Sequence, residues 1–281
     1  MKTAISILIV LVSFALNAQN FSGKAIYKTS LKSTISFDAE QNSGISDDMQ
    51  KQLQAQIQKM NQKTFILNFD KKTSTYKEDV KLDVPNPQLG GAGMMVMSFG
   101  GSGNGSVYFK NINEKSFVNQ TEIMGKRFLV KDSLPTYQWE LSTETKNIGN
   151  YTCYKATFTR EVEHMNMMFE NGESKEEKIK KTITTTAWYT TQVPVSNGPD
   201  NYQGLPGLIL EINDGERLIV CTEIVLNPSE KTEIIAPKKG KIVSQAVYDK
   251  IQEEKTQEMM ESFKGRNGAN MGHGINIKIG G

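Results

Sequence analysis

The sequence is poor in the residues that most chemistry needs. Of 281 residues, two are histidine and two are cysteine. A Ser-His-Asp or Cys-His arrangement must therefore centre on His164, because His273 falls in a glycine-rich tail, and the flanks of His164 carry no nucleophile motif. There is no HExxH, no CxxC, no Walker loop and no dinucleotide fingerprint. Charge of one sign is not in excess, with 33 Lys and Arg against 31 Asp and Glu. Phosphate neutralisation needs a cationic surplus on one face, so no nucleic-acid partner is expected. Beyond the amino terminus no run is apolar enough for a span of about 20 residues, so no transmembrane span is expected.

The amino terminus carries the longest apolar run. Lys2 precedes the apolar stretch Ile5 to Leu16, and Asn17-Ala18-Gln19 follows. A basic start, a short apolar core and a small residue at the cut site predict a secretory signal peptide cleaved after Ala18. No cysteine follows it, so no lipid anchor is expected. The expected location is periplasmic or at the cell surface.

From Gln19 to Phe263 the pattern predicts one β-rich domain, with about ten strands in one antiparallel sheet and two covering helices, a mainly β (α+β) fold. Predicted strands include 21–36, the hairpin 64–70 and 73–80, then 107–111, 115–122, 126–131 and 138–143. A long pair follows, Tyr151 to Phe169 and Lys178 to Thr190, joined through Asn171-Gly172, and then the hairpin of Leu208 to Leu226. Met49, Leu53, Ile57 and Met60 share one helical stripe between Asp47 and Gln62. Ser244 caps a second helix from Gln245 to Phe263. Leu89 to Ser106 and Lys264 to Gly281 are glycine-dense and predict a mobile loop and a flexible tail.

Cys153 and Cys221 each lie in a predicted strand. In an oxidising compartment one disulfide is the expectation, closing a loop of about 69 residues for about 4 kcal/mol of stabilisation. Two buried thiols that never meet are the alternative.

Three blocks carry a resemblance. They are FLVKDSLPTYQWELSTETKNIGNYTCYKAT (Phe128 to Thr157), TAWYTTQVPVSNGPDNYQGLPGLILEIND (Thr186 to Asp214) and LIVCTEIVLNP (Leu218 to Pro228). Together they resemble the exported GLPGLI family of Bacteroidota-type bacteria. The resemblance implies a periplasmic or surface location and an association with outer-membrane receptors or other cell-envelope proteins. It also implies a curved antiparallel sheet of the lipoprotein-carrier kind. It implies no established activity.

The signature has its own physical reading. Pro206-Gly207 suits a type II turn with positive φ at Gly207. Gly204 suits a close approach to a neighbouring strand. Leu208, Ile209, Leu210 and Ile212 are core candidates. The segment formed by Gly198, Pro199, Tyr202, Gly204, Leu205, Pro206 and Gly207, with Trp188 and Tyr189 beside it, is either a rigid turn or the mouth of a partner or ligand site.

Methionine is plentiful, at 13 residues. His164, Met165 and Met167, with Met94, Met95 and Met97, form a candidate set for monovalent copper, since thioether and imidazole suit that ion. The leading functional expectation is a non-enzymatic exported binding or accessory protein without a cofactor. The alternatives are a copper-buffering protein and a hydrolase using carboxylates such as Glu140, Glu144, Glu211 and Asp214.

Overall fold

Alternation of buried and less buried residues defines the strands. In β1 (Ser22–Leu31) Ala25 and Tyr27 are fully buried while Lys24, Ile26 and Lys28 are not. The computed structural model describes residues 21–31, 62–80, 105–170, 173–230 and 232–267. After β1 come β2 (Gln62–Asp70), β3 (Thr73–Glu78), β4 (Val107–Asn111), β5 (Ser116–Ile123), β6 (Lys126–Ser133) and β7 (Glu140–Ile148). Then follow β8 (Tyr151–Glu170), β9 (Glu173–Thr190), β10 (Leu208–Asn213), β11 (Arg217–Leu226), β12 (Lys241–Val243) and one helix, α1 (Gln245–Asn267).

The twelve strands form one open, mixed sheet in the order β12-β6-β5-β4-β3-β2-β1-β11-β10-β9-β8-β7. The ladders are antiparallel except β12 beside β6. β1 lies in the middle, between β2 and β11, so the two halves of the chain meet along it. Register shifts at Ile26/Tyr27 and Ile209/Glu211 insert one extra residue each, as bulges do, and a larger irregularity interrupts the ladder between Leu141 and Thr145. Local side chains fix the turns. In the β2–β3 turn the Asp70 carboxylate accepts the amides of Lys72 and Thr73, each at 2.6 Å.

Two differences from the predicted architecture stand out. The sheet has twelve strands rather than about ten, because the three-residue β12 is too short to show alternation. One helix is described rather than two. The predicted helix Asp47 to Gln62 lies outside the described residues, save Gln62, which opens β2. α1 runs on to Asn267, so Lys264 to Asn267 of the predicted tail are helical. The signal-peptide residues, Leu89 to Asn104 of the glycine loop, and the tail after Asn267 lie outside the described residues.

One face of the sheet carries two neighbouring covers. Over β5 and β6, α1 sets Tyr248 against Phe128, with ring centroids 5.8 Å apart, and packs on a cluster of Phe117, Val130 and Leu134. Over the remaining strands the segment between β9 and β10 buries Val193, Val195, Tyr202 and Leu205 in the main core, with Tyr27, Leu67, Phe69, Ile212 and Ile219. Tyr108 packs against both clusters and joins them.

At one end the sheet narrows to two strands. β7 pairs with β8 only between Tyr151 and Thr157, and β10 pairs with β9 only between Thr186 and Thr190. From Phe158 to Glu170 and from Glu173 to Thr185, β8 and β9 are paired only with each other among the described residues. At about 3.4 Å per residue this arm is on the order of 40 Å long.

Candidate functional site

The segment 191–207 folds over the sheet and buries Val193, Val195, Asn197, Tyr202 and Leu205 beneath it. Its own backbone closes it, through the Leu208 amide donating to the Val193 carbonyl at 3.0 Å and the Ile209 amide to the Asn197 carbonyl at 2.9 Å. The sheet then grips it through side chains. From β1, the Tyr27 hydroxyl donates to the Ile209 carbonyl at 2.7 Å. From β3, the Ser74 hydroxyl donates to Asn197 Oδ1 at 3.3 Å, an atom that also accepts the Gly198 amide. From β4, Lys110 is wholly buried, and its Nζ donates to the Gly198 carbonyl at 2.7 Å and the Tyr202 carbonyl at 3.1 Å.

Register explains the placement of Lys110. It stands opposite Ser74 on β3 and Phe117 on β5, as Tyr108 stands opposite Tyr76. All five thus face the covered side of the sheet. Burial in this apolar layer disfavours the ammonium and lowers the Lys110 pKa to about 7, against an opposing pull from Asp200.

Arg217, at the start of β11, closes the rim. Its Nη1 donates to Asp200 Oδ2 at 3.0 Å, its Nη2 donates to the Tyr202 hydroxyl at 3.3 Å, and Asp214 lies 3.8 Å from its Nε. Asp200 holds a left-handed φ of 51° at this corner. Desolvation raises the pKa values of Tyr76, Tyr108, Tyr137 and Tyr202, and the Asp200 charge adds to each shift. These hydroxyls therefore stay protonated, and that of Tyr202 accepts from Arg217.

The stretch 134–139, leading into β7, straps the segment from the other side. Trp139 Nε1 donates to the Gln203 carbonyl at 2.9 Å, and Gln203 Nε2 donates back to the Pro135 carbonyl at 2.8 Å. Tyr137 packs among Trp139, Phe158 and Tyr202, with centroids 4.9 to 5.5 Å away. Two buried polar atoms in the same layer, Tyr76 Oη and Asn197 Nδ2, have no hydrogen-bond partner.

The signature glycines exchange the roles predicted for them. Gly204, not Gly207, has positive φ, at 95°. Gly207 is instead the close approach, where a Cβ would stand 2.1 Å from the Thr190 carbonyl oxygen. The predicted type II turn with left-handed Gly207 is therefore replaced by backbone packing of Pro206-Gly207 against the end of β9. Gly198 is also close-packed, less tightly, since a Cβ there would meet the Ile209 side chain at 2.8 Å. Leu205 is buried in the main core, and the Pro199 carbonyl accepts the Tyr202 amide at 3.1 Å.

Trp188 and Tyr189 do not act together, because adjacent strand residues face opposite sides. Tyr189 is buried, opposite Ile209 and 6.0 Å from the Tyr154 ring. Trp188 lies on the other face under the Lys146 ammonium, 4.5 Å from its ring centroid, and Lys146 is bound to Glu211 at 2.7 Å.

The predicted disulfide is absent. Cys153 and Cys221 are free, buried thiols on β8 and β11, with β9 and β10 running between them. Each step across a sheet is about 4.8 Å, whereas bridged Cα atoms lie within about 7 Å. Each thiol donates to a carbonyl of its own strand, Tyr151 at 3.6 Å and Glu223 at 3.4 Å. Burial pushes them up to about 11 and about 12, which suppresses the thiolate and its reactivity.

His164, Met165 and Met167 fall in the arm of β8, at register positions opposite Ile179, Lys178 and Glu176. The ladder is unbroken there. Met94, Met95 and Met97 lie outside the described residues. Among the described residues no three His, Cys, Asp or Glu side chains group as metal ligands, and no helix is long and apolar enough to cross a membrane.

Lys110, Arg217 and Trp139 were not singled out in the sequence. A lysine in phase with Tyr108 is the one local signal for Lys110, and Val-Tyr-Phe-Lys-Asn carries aromatics in both phases.

Comparison with known proteins adds little beyond this geometry. No curated protein matches the chain. A solved structure of PNGF-II is similar over 83% of this chain at 12% identity and a TM-score of 0.46, and the chain spans 33% of that structure's length. The stretch 139–211, which runs from Trp139 through the signature to Glu211, matches the model of a family described as a protein of unknown function, Porph_ging.

Proposed function

We propose that this chain is a non-enzymatic exported binding or accessory protein of the cell envelope, and that it meets its partner through the β8–β9 arm. The signature segment serves to hold the sheet together. The observation that carries this reading is the arm itself, which continues from Phe158 to Glu170 and back from Glu173 to Thr185 without a flanking strand among the described residues. An isolated two-stranded ribbon is marginal in water, so its length calls for a use other than stability.

The signature supports the same division of labour. Lys110, Tyr27, Ser74, Arg217 and Trp139 bind the segment 191–209 to the sheet and to the strap. The covered face of the sheet is filled by Val193, Val195, Tyr202 and Leu205, which leaves no apolar groove beneath the segment. That favours a protein partner over a lipid cargo. The signal-like amino terminus supports export.

In-cell photocrosslinking tests the reading. A crosslinker at exposed Thr159, Lys180 or Thr182 should yield a discrete envelope adduct, whereas one at exposed Ile242 on β12 should not. Adducts from Ile242 alone would refute the arm.

A further inference from the structure

We propose that the side chains of Lys110 and Asn197 form an intramolecular amide bond, which joins β4 covalently to the signature segment. The inference is independent of the arm. Lys110 is wholly buried and Asn197 is 1% exposed, and the hydrogen bonds around them bring the amine and the carboxamide to one place. Lys110 stands opposite Ser74 across the β3–β4 ladder, and both face the covered side of the sheet. The side chains of such a pair leave the sheet about 5 Å apart. The Ser74 hydroxyl donates to Asn197 Oδ1 at 3.3 Å, while Lys110 Nζ donates to the carbonyl of the next residue, Gly198, at 2.7 Å.

The Asn197 carboxamide is arranged for attack. Its Oδ1 accepts two donors, the Ser74 hydroxyl and the Gly198 amide at 2.9 Å, which stabilise negative charge as it develops on that oxygen. Its Nδ2 is buried without a hydrogen-bond partner, so no contact opposes its departure, and the reaction removes an orphan donor. The nucleophile is prepared by burial, which favours the neutral amine over the ammonium. Asp200 is the charge that acts on this amine, and Arg217 holds that carboxylate at 3.0 Å. Tyr108 and Tyr202 stay protonated. The step balances without a cofactor: Nζ bonds to Cγ, the Cγ–Nδ2 bond breaks, one proton passes from Nζ to the departing nitrogen, and ammonia leaves. Nζ must first turn from the Gly198 carbonyl to the preceding side chain. That makes the reaction slow and leaves the free amine as its starting state. The product constrains the unfolded chain as a disulfide across a long loop does.

Mass spectrometry of the mature chain, fresh and after days at pH 9, tests the bond. The intact mass should fall by one ammonia during incubation. Tryptic digestion should then give a branched peptide in which Lys110 resists cleavage and is joined to Asn197. Lys110→Arg and Asn197→Ala should each abolish the branched peptide, and Ser74→Ala should slow its formation about tenfold or more. The wild-type peptide map decides the matter even where a variant does not fold. Asn197-Gly198 offers a competing route, in which the Gly198 amide attacks the same Cγ and also expels ammonia. That route gives linear peptides alone and persists in Lys110→Arg, so an ammonia loss of that kind would overturn the proposal. An unchanged mass after incubation, with Lys110 cleaved normally by trypsin, would overturn it as well.

Discussion

Lys110 Nζ lies 2.7 Å from the carbonyl oxygen of Gly198, so one short strand holds the corner of a segment 88 positions further along the chain. An amine in that position is costly when charged and useful when hydrogen-bonded. The pairing therefore ties fold stability to pH.

The Lys110 pKa is about 7 in the folded chain, against an ordinary value of 10.5. Between those values the unfolded chain holds a proton that the folded chain has lost. Stability should rise from pH 7 towards pH 10, with a slope of at most about 1.4 kcal/mol per pH unit from this group. Urea melts at pH 7, 8 and 9 measure it. Lys110→Met should flatten the rise and lower stability at pH 9, where the neutral amine still donates to two carbonyls. A wild-type profile parallel to that of the variant would show that Lys110 does not titrate in this window.

Gly207 and Gly204 should respond differently to alanine. At Gly207 the added methyl meets the Thr190 carbonyl at 2.1 Å, and backbone on both sides must move. A cost of about 2 kcal/mol or more is expected, as for overpacking in a core. At Gly204 the nearest atoms belong to the Trp139 side chain at 3.7 Å, so only the φ of 95° is strained. A cost of about 1 kcal/mol is expected there. Denaturant midpoints of the two variants should rank Gly207→Ala below Gly204→Ala, and the reverse order would mean that φ, not packing, dominates this segment.

Much of this architecture is legible in local sequence. Alternation and turn residues locate the strands from Val107 to Leu226, because each strand shows its own period and each turn its own chemistry. What is not local is hidden. Cys153 and Cys221 each read as strand residues, but strand order is set by the whole sheet, and it interposes β9 and β10. Pro206-Gly207 reads as a type II turn because that pair tolerates one, while the contact that fixes Gly207 comes from Thr190. The length of β8 and β9 is visible in their sequences. The points at which β7 and β10 stop flanking them are not, and those points make the arm.

The tyrosines of the covered face should divide into two kinds. Tyr27 donates to the Ile209 carbonyl at 2.7 Å, so Tyr27→Phe leaves a buried acceptor unpaired and should cost about 1 to 2 kcal/mol. The Tyr76 hydroxyl is buried without a partner, so Tyr76→Phe should be neutral or stabilising by up to about 1 kcal/mol. Thermal melts of the two variants decide the matter. A destabilising Tyr76→Phe would reveal a partner for that hydroxyl in solution.

The two thiols should be silent in the folded protein. Both are buried and both are pushed above the ordinary thiol range, to about 11 and about 12. Native protein at pH 8 should resist iodoacetamide over minutes, and denatured, unreduced protein should take up two equivalents. Failure to alkylate after denaturation, reversed by reductant, would show a bridge and require β8 and β11 to approach one another.

The arm should be dispensable for folding. Joining Glu161 to Thr182 through Asn-Gly removes the distal ribbon and keeps a register pair at the cut, with a dipeptide suited to a two-residue hairpin. The deletion removes the Lys181–Glu216 ion pair, and an exposed pair of this kind contributes about 0 to 1 kcal/mol. The core residues Tyr27, Leu67, Ile212 and Ile219 are untouched. The melting temperature should therefore fall by no more than about 4 °C for a chain of this size. Amide exchange in β1, β10 and β11 should stay as slow as in the intact chain. A collapse of exchange protection in those strands would make the arm part of the fold's support, and would remove the argument that its length answers to a partner.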